Sequence, residues 1–218
     1  MSLKGAIFDL DGVIVSTVLS HFSAWKKMFS EYGKEFSFDD YKEKVDGIPR
    51  IDGARSILFD LSQEELELAA EKKQVYFLKS LQTEGVKIYD STIDLVKALK
   101  AKKIKVAVIS SSKNCLPILQ KAAIDSLFDI ILTGHDIKPG RGKPHPDVFL
   151  EAAEKLGLSA GECVVFEDSV LGVEAAKRAQ FKAVGIDRYD SPERLKKADI
   201  VVDDLSKVTV EKLIDLFS

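Results

Sequence analysis

The sequence has little of what marks secreted, metal-clustering or membrane proteins. Its two cysteines, Cys115 and Cys163, form no Cys-x-x-Cys pattern and have no histidine pair nearby, which argues against a zinc site and a disulfide framework. The apolar runs are strand-sized, far below the roughly 20 residues that a membrane span needs. The first strand starts too close to residue 1 for a signal peptide to precede it. We therefore expect a cytoplasmic protein with no membrane partner.

An excess of positive charge is also missing. Lysine and arginine number 32 against 35 aspartate and glutamate residues, so the formal net charge is −3. Proteins that bind nucleic acids usually carry a basic face, and this balance argues against such a partner. Hydrophobic residues make up 45% and charged residues 31% of the 218 positions, as in folded soluble proteins. The length allows one full α/β domain and a smaller unit. We also expect the protein to be a monomer.

Most of the chain alternates between strand-sized and helix-sized segments. Apolar and β-branched runs predict strands at 5–8, 105–109, 130–133, 164–166, 183–186 and 200–202. Amphipathic segments separate them, and the one before the second strand is predicted to be capped by Ser91 or Thr92. This alternation predicts an α/β fold with a doubly wound parallel sheet, a Rossmann-like core.

One segment breaks the alternation. From Ser20 to about Leu81, apolar residues recur at three- and four-residue spacing and no strand pattern is present. We therefore predict a helical insertion at residues 16–82 within a core formed by residues 1–15 and 83–218. The connections at 15–17 and 82–87 are expected to act as hinges that let the insertion close over a site and exclude water.

Two carboxylates follow the first strand. Asp9 and Asp11, just before Gly12, lie at the carboxyl end of this strand, where open α/β sheets bind their ligands. Asp-Gly is also the commonest tight hairpin turn, but no antiparallel partner strand follows. Two carboxylates this close repel each other, so their proximity indicates a bound cation or a functional role. One can attack phosphorus to form an aspartyl phosphate while the other transfers the proton of the attacking or leaving oxygen.

A second acidic pair, Glu167 and Asp168, follows a later strand and is expected at the same sheet edge. In a simpler interpretation, these two residues are the acidic pair that often precedes the N-terminus of a helix. Beside Asp9, however, these oxygens suit Mg²⁺, which binds through one or two carboxylates, water and substrate phosphate. The sequence therefore predicts a magnesium-dependent phosphoryl-transfer site.

Phosphate-binding groups are predicted in two loops. One loop joins a strand to a helix, where hydroxyls and free N–H groups can hold an anion, although such a loop can also merely cap the helix. Its residues are Ser110, Ser111, Ser112, Lys113 and Asn114. The other loop contains Lys143, just before Pro144. A lone lysine usually faces solvent, but its rigid X-Pro surroundings indicate a fixed cation.

These four segments, in this order, resemble the haloacid dehalogenase superfamily of phosphotransferases over essentially the whole chain. Asp11 excludes the dehalogenase branch, which lacks it, and the insertion resembles the family's cap domain. Within it, His21-Phe22-x-Ala24-Trp25-Lys26 and Gly47-Ile48-Pro49-Arg50 resemble the β-phosphoglucomutase group. One departure is Ser16, which stands before Thr17 where the family usually has an acidic residue.

The resemblance implies roles for the matching residues. Asp9 would be the nucleophile and a Mg²⁺ ligand, and Asp11 would do acid/base work while its backbone carbonyl binds the metal. Asp168 would hold Mg²⁺ together with Glu167, directly or through water. The phosphoryl group would be bound by Ser110 and Lys143, with Ser112, Lys113 and Asn114 near the phosphates.

In the cap, the resemblance implies that Arg50 grips a second phosphate, Lys73 contacts the sugar and His21 orients Asp11. The substrate-binding surface is expected to include also Thr17, Trp25 and Gly47. More ordinary interpretations are a helix-face histidine for His21, a packing role for Trp25 and a solvated side chain for Arg50.

The favoured function is β-phosphoglucomutase activity, the conversion of β-D-glucose 1-phosphate to glucose 6-phosphate through a bisphosphate. A phosphatase of sugar or other small phosphomonoesters would use the same core with water as the acceptor. A non-enzymatic phospho-acceptor module is a third interpretation, because receiver domains also place an aspartate on a doubly wound sheet. Such a module needs no inserted cap.

Overall fold

A parallel sheet forms the centre of the structure, a computed structural model that describes residues 2–218 except for the side chain of Glu84. Within this part of the chain, six strands pair in the order β3-β2-β1-β4-β5-β6, all parallel. The strands are β1 Gly5–Asp9, β2 Lys105–Ile109, β3 Ile130–Leu132, β4 Cys163–Glu167, β5 Lys182–Ile186 and β6 Ile200–Val202. The predicted α/β class and doubly wound sheet are confirmed.

Helices connect the strands and fill the insertion. They are α1 Val18–Glu31, α2 Phe38–Asp40, α3 Arg50–Ile57, α4 Gln63–Glu84, α5 Asp90–Ala101, α6 Cys115–Lys121, α7 Asp147–Leu156, α8 Val170–Arg178 and α9 Val210–Asp215. A π-helical turn covers Tyr41–Val45, and 3₁₀ turns lie at Asp125–Leu127, Ala160–Glu162, Pro192–Leu195 and Leu205–Lys207. None of the described helices is both long and apolar enough to cross a membrane.

Side chains of the strands pack on both faces of the sheet, because successive strand residues point in opposite directions. Ala6 and Phe8 of β1 belong to the apolar cluster that includes α5, α6 and α9. Ile7, between them, belongs to the cluster with α7 and α8 on the other face. Phe8 stacks on Phe166 of β4, with ring centroids 4.3 Å apart. Burial on both faces explains the near-continuous apolar runs that predicted the strands.

The insertion has its own apolar centre. α1 packs along α4, and the two helices share a cluster with the loops and short helices between them. Its largest buried members are Trp25, Met28, Phe29, Phe36, Tyr41, Leu58 and Leu66. Among the described residues, none between β1 and β2 belongs to the sheet, as the helical periodicity predicted.

The two connections between the insertion and the core run side by side. The N–H of Ser16 donates to the carbonyl of Lys87 at 2.8 Å, and Val15 forms an antiparallel bridge with Ile88. α4 continues to Glu84, two residues beyond the predicted end of the insertion. Phe77 and Leu81, in its last turns, belong to the cluster of the core. The structural boundary between the two units therefore lies within α4 and not after its end.

The predicted cap of α5 is wrong. The helix begins at Asp90 after Tyr89, and no side chain caps it. The Thr92 hydroxyl instead donates to the carbonyl of Val13 at 2.7 Å. The Ser91 hydroxyl donates to Asp204 Oδ2 at 3.0 Å. Both hydroxyls thus connect α5 to distant parts of the chain, which local sequence rules do not reveal.

Candidate active site

The loop after β1 turns back against the end of β4. Gly12 has a φ of +78°, a conformation that other residues rarely adopt. A Cβ at Gly12 would lie 1.8 Å from Asp168 Oδ2, so only glycine lets this carboxylate approach the turn. Because β1 and β4 are neighbours, Asp9 and Asp168 come together at the carboxyl edge of the sheet, as the sequence predicted.

A buried lysine joins two of the carboxylates. Lys143 Nζ donates to Asp9 Oδ1 at 2.6 Å and also to Glu167 Oε1, and its side chain is only 1% exposed. Burial works against the charged ammonium, but Asp9 and Glu167 outweigh it and raise the pKa of Lys143 above its usual range. Burial also raises the pKa of Asp9 well above its ordinary value, despite the nearby ammonium. Lys143 is thus the fixed cation that its loop predicted.

Asp11 is surrounded by donors from both units. Thr17 Oγ1 donates to Asp11 Oδ1, and His21 Nε2 lies 3.3 Å from the same oxygen. Burial alone would raise the pKa of Asp11, but His21 and Thr17 outweigh burial and lower it. Burial and the neighbouring Lys73 lower the pKa of His21, so the ring is neutral near pH 7. With its proton on Nε2, the ring can accept a hydrogen bond from Lys73 Nζ at Nδ1, at 2.7 Å, whereas Nε2 is buried and makes no hydrogen bond within the described chain.

The carboxylate of Asp168 fits a divalent cation. Its Oδ2 is buried, and no donor within the described chain reaches it. Burial, followed by the charges of Asp46, Glu167 and Asp9, raises the pKa of Asp168 well above its ordinary value. No described cluster offers three or more preformed metal ligands. Mg²⁺ needs only one or two carboxylates besides water and phosphate, and Asp9 and Asp168 would supply them.

Glu167 is already occupied by other partners. Its Oε1 accepts from Lys143, and its Oε2 accepts from the Ser169 N–H at 2.8 Å and the Ser169 hydroxyl at 2.9 Å. A Cβ at Gly172 would lie 1.9 Å from Oε1, so this glycine leaves the space that the carboxylate fills. In this arrangement Glu167 positions Lys143. A direct contact with the metal would require one of these bonds to break, whereas the predicted contact through water would not.

The serine loop after β2 approaches the site as predicted. Ser110 is buried, and its hydroxyl accepts from the Ser112 N–H at 2.9 Å and lies 3.4 Å from Asp11 Oδ2. The Ser111 hydroxyl donates to the carbonyl of Gly47 in the insertion at 2.7 Å. Ser110, Ser111, Ser112 and Lys113 all line the cleft. The Ser111 hydroxyl therefore joins the two units in this structure, although the sequence analysis assigned it to phosphate.

Asn114 does not line the cleft with the other members of its loop. Its Oδ1 accepts from Gln74 Nε2 at 2.6 Å, and its Nδ2 donates to Gln74 Oε1 at 3.0 Å. The side chain predicted to lie near a phosphate is thus paired with an amide of α4. Gln74 itself lines the cleft, and the sequence analysis did not select it.

The insertion contributes two basic side chains to the lining of the cleft. Lys73 is buried, and burial together with the charge of Arg50 lowers its pKa to about 7. Arg50 is partly buried, and its Nη1 donates to the carbonyl of Ala70 at 3.3 Å. Both side chains line the cleft, and burial also lowers the pKa of Arg50. Arg50 is therefore not a fully solvated side chain.

Three other predicted substrate-binding residues differ in their positions around the cleft: Trp25, Gly47 and Thr17. Trp25 lines the cleft but is buried in the apolar cluster of the insertion, stacked on Phe29 with centroids 5.2 Å apart. Its packing role is thus plain. Gly47, with φ of +76°, lies in the cleft wall, and a Cβ there would lie 2.8 Å from Ser169 Oγ. Thr17 is buried against Asp11.

Asp46 is an acidic cleft residue that the sequence analysis missed. Burial and the charge of Glu167 raise its pKa to about 7, and Tyr189 Oη approaches its Oδ2 at 3.5 Å. In the sequence, only its position directly before the Gly47 segment could have pointed to Asp46. An acidic residue at such a position is more often solvated. The remaining histidines lie outside this cleft, His135 exposed and His145 partly exposed.

Both units line the cleft, and several of its polar side chains are buried. These are Asp9, Ser110, Lys73 and Lys143. The core contributes the cation Lys143 to this lining, and the insertion contributes Lys73 and Arg50. The carboxylates of Asp9 and Asp11 line the same cleft. The arrangement suits a substrate that carries more than one negatively charged group.

Comparison with known proteins identifies a family. The haloacid dehalogenase-like hydrolase family matches residues 3–180. The chain is 34% identical to a β-phosphoglucomutase of Bacillus subtilis, covering 97% of this chain and 94% of that protein. It is 31% identical to a phosphorylated carbohydrates phosphatase of Thermotoga maritima, covering 84% of each. A crystal structure of a Clostridium difficile β-phosphoglucomutase superposes with a TM-score of 0.89 at 30% identity, covering 99% of this chain and 97% of that one.

Proposed function

We propose that this chain, an enzyme that belongs to the haloacid dehalogenase-like hydrolases, is a β-phosphoglucomutase that converts β-D-glucose 1-phosphate to glucose 6-phosphate. The observation that carries the proposal is that both units contribute cations to one cleft. Lys143 lies beside the nucleophile, whereas Arg50 and Lys73 lie in the insertion. A mutase has to hold a bisphosphate in two orientations, so it needs an anion site at each end. The relative from Bacillus subtilis supports this substrate class.

Asp9 is proposed as the nucleophile. One of its oxygens attacks phosphorus, the bond between phosphorus and the sugar oxygen breaks, and an aspartyl phosphate results. In the return step a sugar hydroxyl attacks the same phosphorus and displaces Asp9. Lys143 stays beside the reacting carboxylate and compensates the negative charge of the phosphoryl group. Mg²⁺ held by Asp9 and Asp168 would neutralise further charge on this group.

Asp11 is proposed as the acid/base residue. Because its pKa is lowered, it is ionised in the resting enzyme and can take the proton of the attacking hydroxyl. In the opposite step it returns this proton to the leaving sugar oxygen, so protons balance over the cycle. Thr17 and His21 fix the carboxylate in place for both steps.

A sugar phosphatase is the second candidate. It uses the same nucleophile, with water as the acceptor of the phosphoryl group. Relatives described as sugar phosphatases, such as the one from Thermotoga maritima at 31% identity, favour this alternative. Water needs no second anion site, so the role of Arg50 separates the two functions.

The deciding experiment is a product assay on β-glucose 1-phosphate with Mg²⁺ and a trace of bisphosphate. A mutase yields glucose 6-phosphate in excess over free phosphate, whereas a phosphatase releases phosphate and glucose. Arg50→Ala is expected to lower isomerisation about ten- to a hundredfold, the effect of losing a charge-assisted contact, while slow hydrolysis persists. Arg50→Lys tests whether the paired geometry of the guanidinium matters besides charge. Equal loss of both activities, or of neither, contradicts the mutase assignment.

Asp9→Asn provides the control for the chemistry itself. It keeps the shape of the side chain but removes the anionic nucleophile, so turnover should fall at least about a thousandfold. Residual activity above about a tenth of the wild-type value would mean that another group attacks phosphorus.

A further inference from the structure

A pair of amides joins the insertion to the core beside the cleft. Gln74 of α4 and Asn114, the residue before α6, exchange two hydrogen bonds of 2.6 and 3.0 Å. They are 40 positions apart in the sequence and belong to different units. Each amide donates one hydrogen bond to the other and accepts one from it. This reciprocal contact restrains the relative position of the two segments.

A second polar contact lies farther along the same two helices. Lys121 Nζ, at the end of α6, donates to the carbonyl of Leu81 in α4 at 3.1 Å. Leu81 follows Gln74 by seven residues, and Lys121 follows Asn114 by seven. Seven helical residues rise about 10.5 Å, so the two contacts have the same spacing along α4 and α6 and follow both helices in the same direction. Between the contacts, Phe77 of α4 and Ile118 of α6 belong to one apolar cluster.

The position of α4 in turn determines where Lys73 and His21 lie relative to Asp11. Lys73, next to Gln74, donates to His21 Nδ1 at 2.7 Å. The His21 ring stacks on Phe77 at a centroid distance of 3.9 Å, and its Nε2 lies 3.3 Å from Asp11 Oδ1. A shift of α4 would therefore move Lys73 and His21 away from the acid/base residue.

We propose that Gln74 is a positioning residue whose amide pair with Asn114 holds α4 on the core and so keeps Lys73 and His21 over Asp11 before substrate binds. The proposal rests on phosphoryl transfer at Asp9 as the proposed function. It differs from the expectation that Asn114 binds phosphate directly, because in this structure its amide is committed to Gln74. It also differs from a direct substrate contact by Gln74, which lines the cleft.

A double-mutant cycle separates these alternatives. Gln74→Ala and Asn114→Ala are each expected to lower kcat/KM for a sugar phosphate about tenfold, and the double variant should be no worse than either single variant. If Asn114 binds phosphate, its removal still raises KM in the Gln74→Ala background. Such additivity would overturn the proposal.

Transposing the two amides gives a matched rescue. Gln74→Asn shortens one side chain by a methylene and Asn114→Gln lengthens the other, so the double variant keeps the same total reach. We expect each single variant to be impaired and the transposed pair to recover to within about threefold of the wild-type kcat/KM. A Gln74 that touched substrate would not be rescued by a longer partner, and failure to recover would contradict the pair.

Hydrogen exchange tests the same contact without any turnover. In the ligand-free protein, Gln74→Ala should speed amide exchange through the middle of α4, whereas Lys79→Ala, an exposed position on the same helix, should not. Equal exchange in the two variants overturns the positioning role. Because this readout needs no catalysis, a wild-type protein without mutase or phosphatase activity would refute the proposed function and leave this test intact.

Discussion

Replacing Lys143 by methionine tests the electrostatics of the site most directly. The substitution keeps the length of the side chain and its apolar stem but removes the ammonium. Asp9 and Glu167, which both accept hydrogen bonds from Lys143, would then be buried without this cation. Breaking a buried ion pair by removing one partner typically costs about 3–5 kcal/mol. We expect a loss of that size in the free energy of unfolding at pH 7.

The deficit should depend on pH in a defined direction. Without Lys143, the pKa of Asp9, which burial already raises, rises further in the folded state, above an unfolded value of about 4. The folded variant then binds more protons than the unfolded chain in the pH range above 4, so its stability falls as the pH rises. Lys143 itself stays charged in the wild-type protein throughout this range. The deficit relative to wild type is therefore expected to be smaller at pH 5 than at pH 7.

Urea unfolding of both proteins at the two pH values, with and without Mg²⁺, measures these effects. Lys102→Met serves as the control, because this lysine is exposed and its ion pair with Glu211 is exposed and long at 3.9 Å. Its effect should stay below about 1 kcal/mol. Mg²⁺ that binds the folded variant restores part of the lost stability, because a ligand of the folded state stabilises it. A deficit under about 1 kcal/mol, or one that is the same at both pH values, would refute the proposed role of Lys143.

Three further outcomes are expected. Because burial and Arg50 lower the pKa of Lys73 to about 7, kcat/KM should fall as the pH rises through 7, and Lys73→Arg should flatten this alkaline limb of the pH–rate profile. Gly172→Ala places a methyl against the carboxylate of Glu167 and should cost about 1–3 kcal/mol in urea unfolding. Phe77→Ala removes a fully buried ring and should cost about 3–5 kcal/mol, with faster hydrogen exchange in α4; unchanged stability would contradict its place in the core cluster.

The sheet and its edge were predictable from the sequence because both follow from local patterns. Strands buried on both faces are apolar throughout, and residues that follow parallel strands share one edge. Asp9, Ser110 and Asp168 could therefore be placed together without coordinates. Lys143 needed one step more, because only its rigid loop distinguished it from a solvated lysine.

Contacts between the two units were not predictable in the same way. The bonds of Asn114 with Gln74 and of Ser111 with Gly47 join residues far apart in the sequence, and no periodicity refers to them. An amide or hydroxyl in a loop fits a phosphate, a helix cap or a distant side chain equally well. The resemblance to a family favoured phosphate, whereas the structure assigns these groups to the closed interface.

The same interface bears on the choice between mutase and phosphatase. Phe77 and Leu81 of α4 pack in the core, so an opening movement that also withdrew these two side chains would cost about 3–6 kcal/mol. Such a movement would leave the open form below about 1% of the molecules without substrate, and each further tenfold decrease in this fraction would weaken the apparent affinity tenfold. Tight closure is a disadvantage for binding but excludes water from an aspartyl phosphate, which a mutase requires and a phosphatase does not. We therefore expect variants that loosen α4 to release more free phosphate for each isomerisation.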